Sequence, residues 1–130
     1  MITVFIPNNP LLSPNKDGTW TLMADWRVWI DDRYYTIQQG FTTDGASIPR
    51  ALWRVCGHPL MYPRVFAALL HDWLYGGGGR DECPTRADAD AVYRDLLIEL
   101  GWGRVRARIE YVALRIFGGS HWTSAKKEKE

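Results

Sequence analysis

Two cysteines, no long apolar run and no block of basic residues set the first limits on this chain. Cys56 and Cys83 allow one disulfide but no disulfide framework, so the fold has to be held by a core, and a reducing cytoplasm is the expected setting. Nothing approaches the roughly 20 apolar residues of a membrane-spanning helix, so no transmembrane segment is expected. The opening stretch MITVFIPNNPLLSPN has neither the basic start nor the apolar run of a signal peptide. The formal net charge is +1, which gives no platform for neutralising phosphates and argues against a nucleic-acid partner. Arg104, Arg106, Arg108 and Arg115 would spread around several faces of a helix and read as solvated helix charge rather than a binding patch. Internal repeats are also absent.

What is present is enough for a core. The 130 residues are 46% hydrophobic and 24% charged, and they include seven Trp, six Tyr and four Phe. That length favours one domain. The expectation is a single globular domain over residues 1–123, followed by a charged flexible tail over 124–130.

Residues Ile2 to Ile6 form a short β-rich run stopped by Pro7-Asn8-Asn9-Pro10. The stretch from Trp20 to Ile30 alternates so as to give one buried and one mixed face, Tyr34 to Phe41 reads as a second strand, and Asp31-Asp32-Arg33 joins them as the turn of an antiparallel hairpin. Phe41 to Pro49, which holds a small, turn-prone run ending at a proline, reads as a structured loop. Arg50 to Val55 suits a short helical turn. From Pro63 the period changes to helical spacing as far as Gly76. Thr85, with Asp88 three residues later, caps a second helix running to Leu100, and a third covers about Val105 to Phe117. The fold class is therefore α+β: an N-terminal antiparallel β-hairpin or small sheet packed on about three C-terminal helices.

His71 and Asp72 interrupt a nearly apolar helix, and burying them requires hydrogen-bond or metal partners. Tyr75 shares the His71 face, whereas Asp72 is rotated by about 100°. Asp90 lies on the next helix with Arg86, Tyr93 and Leu97 on the same side. If the two helices pack antiparallel, Asp90 can reach His71, fix its tautomer and raise its basicity, as in a His that activates water. Asp72 with Asp44 and the carbonyls of Asp44-Gly45-Ala46-Ser47 would make an all-oxygen set suited to calcium or magnesium better than zinc. The plainer alternative has Asp44 capping a turn, Asp90 pairing with Arg86 or Arg94, and the His-Asp pair serving as a structural tie. His58, His71-Asp72 and Asp88 also follow the ligand order of a His-Asp phosphohydrolase, but the spacing is tight and His58 precedes a proline, which makes this a minor branch.

Thr43-Asp44-Gly45-Ala46-Ser47-Ile48-Pro49, Ala68-Leu69-Leu70-His71-Asp72-Trp73-Leu74-Tyr75, and Arg86 with Ala89-Asp90-Ala91-Val92-Tyr93 together resemble domain-of-unknown-function family 1353 of tailed phages and prophages. More distantly, His71-Asp72-Trp73-Leu74-Tyr75 is similar to the His-Asp-x-Cys-Tyr helix of phospholipase A(2) enzymes. Asp44-Gly45-Ala46-Ser47 resembles the calcium loop of their bacterial relatives. That likeness implies His71 as general base, Asp90 as its orienter, Tyr75 as hydrogen-bonding support, and Asp44 and Asp72 as calcium ligands. Leu74 stands where the enzymes have a cysteine, and Gly76 to Gly79 falls where their helix continues.

The leading expectation is a phage accessory protein, in the host cytoplasm or virion-associated, that hydrolyses an ester in lipid or envelope material. The alternative is a noncatalytic tail, assembly or host-interaction protein that meets another phage or host protein and keeps the cluster as a structural polar network; an inhibitor of a host defence protein is a third. Catalysis by the phospholipase route asks for Asp90 on one His71 nitrogen, the other nitrogen open to a cleft, and Asp44 converging with Asp72.

Overall fold

The computed structural model describes residues 3–43, 48–58 and 60–123. The class is α+β, with the strands in the N-terminal third and the helices after them. Two compact units divide the chain, Met1–Asp44 and Gly45–Glu130.

The first unit holds two antiparallel three-stranded sheets. One orders β1 (Val4–Phe5), β4 (Trp26–Ile30) and β5 (Arg33–Ile37); the other orders β2 (Leu12–Pro14), β3 (Trp20–Leu22) and β6 (Thr42–Thr43). The expected alternation is present in β4, where Trp26, Val28 and Ile30 are buried and Arg27 and Trp29 are exposed, as the two-residue period of a strand requires. The hairpin turn is Asp31-Asp32, because Ile30 already pairs with Arg33. Asp31 adopts φ 55°, a conformation Asp tolerates better than most residues, and its carboxylate accepts the Thr3 amide at 2.8 Å.

One expectation is corrected here. The run from Trp20 to Ile30 is two strands in different sheets, the strand after the turn covers Arg33–Ile37 rather than continuing to Phe41, and Thr42–Thr43, expected within a loop, pairs with β3 as a strand. The physical cause is local hydrogen bonding at the break. The Leu22 amide goes to Phe41 O and the Met23 amide to Leu11 O, while the Asp25 carboxylate takes the Gln39 amide at 2.8 Å. These bonds carry the chain from one ladder to the other.

The second unit is helical: α1 (Arg50–Cys56), α2 (Arg64–Tyr75), α3 (Arg86–Glu99), α4 (Arg104–Phe117) and a 3-10 turn at Gly118–His121. Nine of the twelve residues of α2 are buried, so this helix is central to its unit, as an almost uniformly apolar helix must be. Gly78, beyond the end of α2, sits against the Trp73 ring, where an added Cβ would lie 2.2 Å from it. The glycine run therefore stops the helix and makes room for that indole. Thr85 caps α3 by accepting the Asp88 amide at 3.1 Å, as the sequence predicts. The end of α2 meets the start of α3 through Tyr75 and Asp90, and the start of α3 meets the end of α4 through Arg86, whose guanidinium donates to Leu114 O and Arg115 O. The three helices thus run as antiparallel neighbours, and Arg86 adds a second donor to Leu114 O, which the Gly118 amide already bonds, and a donor to Arg115 O in the last turn of α4.

Candidate functional site

His71 lies in the penultimate turn of α2 and Asp90 in the second turn of α3, and both side chains are fully buried. The imidazole Nε2 lies 2.8 Å from Asp90 Oδ1. Tyr75, one turn after His71, donates its hydroxyl to the same oxygen at 2.5 Å. The other carboxylate oxygen takes the Arg115 guanidinium at 2.9 Å and has Arg86 at 3.7 Å. One carboxylate from α3 thereby gathers two side chains of α2 and one of α4.

The electrostatics follow from this crowding of donors. Burial pushes the Asp90 carboxyl toward neutrality, but hydrogen bonds from His71, Tyr75 and Arg115 outweigh it and hold Asp90 below the usual carboxylate value. Burial, reinforced by the Asp90 charge, raises the Tyr75 phenol, so Tyr75 stays protonated and remains a donor. An ionised Asp90 can only accept, so His71 Nε2 carries the hydrogen that the two share. The His71 ring is flanked by Tyr75 at 4.1 Å and Tyr93 at 5.1 Å between centroids.

A second buried carboxylate, which the sequence reading misses, sits on α4. Glu110 Oε1 accepts from Arg64 at 2.8 Å and from the Tyr93 hydroxyl at 2.7 Å, and Oε2 accepts the Trp102 indole at 2.6 Å. Arg64 keeps its charge although burial opposes it, because Tyr93 and Glu110 favour the cation. The face that α4 buries carries Ala107, Glu110 and Leu114, and a carboxylate there needs partners; the apolar period of Val105, Ile109, Val112 and Ile116 marks the opposite, exposed face and gives no signal of it.

The structure thus brings together three of the sequence-predicted residues, His71, Asp90 and Tyr75. Asp72 is half-buried beside them on α2. Asp44, with Gly45, Ala46 and Ser47, lies outside the described residues, so its convergence with Asp72 is not among the observed geometry. Among the described residues no group of three or more His, Cys, Asp or Glu is placed to hold a metal ion, and the one described carboxylate of the anticipated calcium set is Asp72. Arg94, one of the two arginines considered for Asp90, bonds Asp95 instead at 2.9 Å. His58 packs against Trp53 with ring centroids 4.7 Å apart, and its Nδ1 accepts the Leu60 amide. No described helix is long and apolar enough to cross a membrane.

Compared with known proteins, residues 20–114 match the model of a family described as protein of unknown function (DUF1353). No curated protein and no solved structure matches.

Proposed function

The chain belongs to the DUF1353 family, and we propose that within it this protein is a phage accessory ester hydrolase acting on lipid or envelope material, with His71 as general base. The observation that carries the reading is the shared acceptor: His71 Nε2 and the Tyr75 hydroxyl both engage Asp90 Oδ1. A base needs a fixed tautomer and a partner that stabilises its protonated form. Asp90 supplies both through Nε2, while Tyr75 holds the carboxylate in place. In the proposed step Nδ1 takes a proton from water as the hydroxyl oxygen bonds to the ester carbonyl carbon. Collapse of the tetrahedral intermediate expels the alcohol, which takes the proton back from His71, giving a carboxylic acid and an alcohol. Calcium held by Asp72 and Asp44 would supply positive charge for the carbonyl oxygen; Asp72 fits that role as a hard oxygen donor next to the base.

A specific observation favours the noncatalytic reading as well. The His71 ring is fully buried, and water has to reach Nδ1 for the hydrolytic step. In that second reading the cluster is a brace joining α2, α3 and α4. Phe5, Trp29 and Tyr34, which stack across β1, β4 and β5 with centroids 5.8 and 4.3 Å apart and stay exposed, would meet a phage or host protein.

The deciding experiment is hydrolysis of a short-chain ester and of a phospholipid, with calcium and with chelator, by the wild type and by His71→Asn. The hydrolase reading expects calcium-dependent turnover that falls at least about 100-fold in the variant. Equal rates in a variant that is folded by circular dichroism would sink it and leave the brace.

A further inference from the structure

Helix α4 is mounted with its apolar face outward. The residues it buries are Ala107, Glu110 and Leu114. Val105, Ile109, Val112 and Ile116, spaced four, three and four apart and therefore aligned along one face, are between 52 and 73% exposed. Phe117, at the end of the helix, is 65% exposed. An exposed β-branched stripe along a whole helix is more than the scattered apolar residues that any surface carries.

The charges around the stripe are of one sign. At 100° per residue, Arg104 and Arg108 flank it on one side and Arg106 on the other, and all three are exposed. The sole acidic residue of α4 is Glu110, which is buried beneath Arg64, Tyr93 and Trp102. The outer surface of the helix therefore presents apolar residues and cations with no exposed carboxylate.

We propose that this face docks on an anionic phospholipid surface, with α4 lying in the plane of the interface and its arginines meeting the headgroup phosphates. A second copy of the chain is disfavoured by charge. Antiparallel pairing through the stripe sets the Arg104 and Arg108 flank against its own counterpart, and parallel pairing sets it against Arg106; each juxtaposes cations. A lipid surface supplies both the apolar medium and the opposite charge, the combination that basic amphipathic helices match. The inference stands apart from ester hydrolysis, because a noncatalytic protein with this helix would bind the same surface.

The test is flotation of the full chain with vesicles of phosphatidylcholine alone and of phosphatidylcholine mixed with phosphatidylglycerol. Binding is expected on the mixed vesicles only, and added salt should weaken it. Arg104→Gln with Arg108→Gln should lower the affinity about thirtyfold, roughly fivefold per arginine. Ile109→Asn with Ile116→Asn should abolish it; all four side chains are exposed or lie on the outer face, and an unchanged melting curve verifies that the fold is kept. His71→Asn should float like the wild type, which separates this result from the assay for hydrolysis. Absence of binding to the mixed vesicles, equal binding to phosphatidylcholine alone, or indifference to the isoleucine pair would overturn the proposal. So would a dimer in solution that the isoleucine pair dissociates, since it would assign the face to a second copy.

Discussion

Tyr93 packs its ring 5.1 Å from the His71 imidazole while its hydroxyl, at the far end of the same side chain, donates to Glu110 at 2.7 Å. A single residue thus links the two buried carboxylates, and every helix from α2 to α4 contributes to both clusters. The Asp90 cluster takes its side chains from the later part of α2, the start of α3 and the end of α4. The Glu110 cluster takes Arg64 from the start of α2, Tyr93 from α3 and its carboxylate from α4.

Tyr93→Phe keeps the ring against His71 and deletes the bond to Glu110. The expected loss of stability is about 1–2 kcal/mol, the range for removing one partner of a buried hydrogen bond, with the rate of any His71-dependent hydrolysis little changed. Tyr93→Ala removes the wall of the imidazole as well and should cost about 3–5 kcal/mol. Denaturant unfolding of the two variants checks the difference; equal losses would mean that the ring contributes nothing to the packing.

Glu110→Leu leaves Arg64 buried beside an apolar neighbour. Breaking a buried pair from one side costs about 3–5 kcal/mol, whereas replacing both partners with apolar groups is often close to neutral. The double variant Arg64→Met with Glu110→Leu should therefore be more stable than Glu110→Leu alone, although the Tyr93 hydroxyl and the Trp102 indole would each still lack their acceptor. A double-mutant cycle read by denaturant melts measures the coupling, and strictly additive losses would contradict the ion pair.

These two networks differ in how far they could be read from the sequence. The His71 and Asp90 partnership is legible because His71 is a polar residue in a nearly apolar helix and Asp90 shares a helix face with Arg86, Tyr93 and Leu97, on segments joined by a short connection that permits antiparallel packing. Glu110 is hidden by the pattern of its own helix. Val105, Ile109, Val112 and Ile116 carry the apolar period of α4, and that period points to the wrong buried face; only tertiary contacts with Arg64, Tyr93 and Trp102 turn the helix the other way. Arg115 was visible as a cation but not as a partner of Asp90, since a long side chain reaches across helices in ways that spacing does not encode. The break at Met23 to Asp25 was invisible for a different reason. Alternation continues through it, and the change of sheet is made by backbone bonds and the Asp25 carboxylate rather than by a turn residue.

Acid should act on the helical unit through Asp90. Its carboxyl is held below the ordinary value of 3.8, with burial opposing the shift and the His71, Tyr75 and Arg115 hydrogen bonds more than compensating. A native value below the unfolded one means that the unfolded chain binds the proton first. The stabilisation is then fully present above the unfolded value and is lost as pH falls through the native one. Asp90→Asn should lower stability near neutrality and flatten its decline in acid, giving wild-type and variant curves that converge at low pH. Urea unfolding across an acidic to neutral series checks this, and parallel curves would exclude Asp90 as the linked group.

Gly118 supports the site through the space that it leaves. It is buried at the start of the 3-10 turn, with an ordinary φ of −82°, so glycine is not required there by backbone conformation. A Cβ at this position, however, would lie 2.8 Å from the Tyr75 hydroxyl oxygen and 3.3 Å from Arg86 Nη1. Neither can yield freely, because Tyr75 is bonded to Asp90 at 2.5 Å and Arg86 to Leu114 O at 2.9 Å. Alanine elsewhere in a helical conformation stabilises relative to glycine; here the overpacking should prevail and Gly118→Ala should cost about 1–3 kcal/mol. The same crowding should push the Tyr75 hydroxyl off Asp90, so Tyr75→Phe, which removes the oxygen that the new methyl would strike, should relieve part of the penalty when combined with Gly118→Ala. Melting of the two single variants and the double one measures that relief, and a double variant losing the full sum of both would show that the Tyr75 hydroxyl is not what Gly118 accommodates.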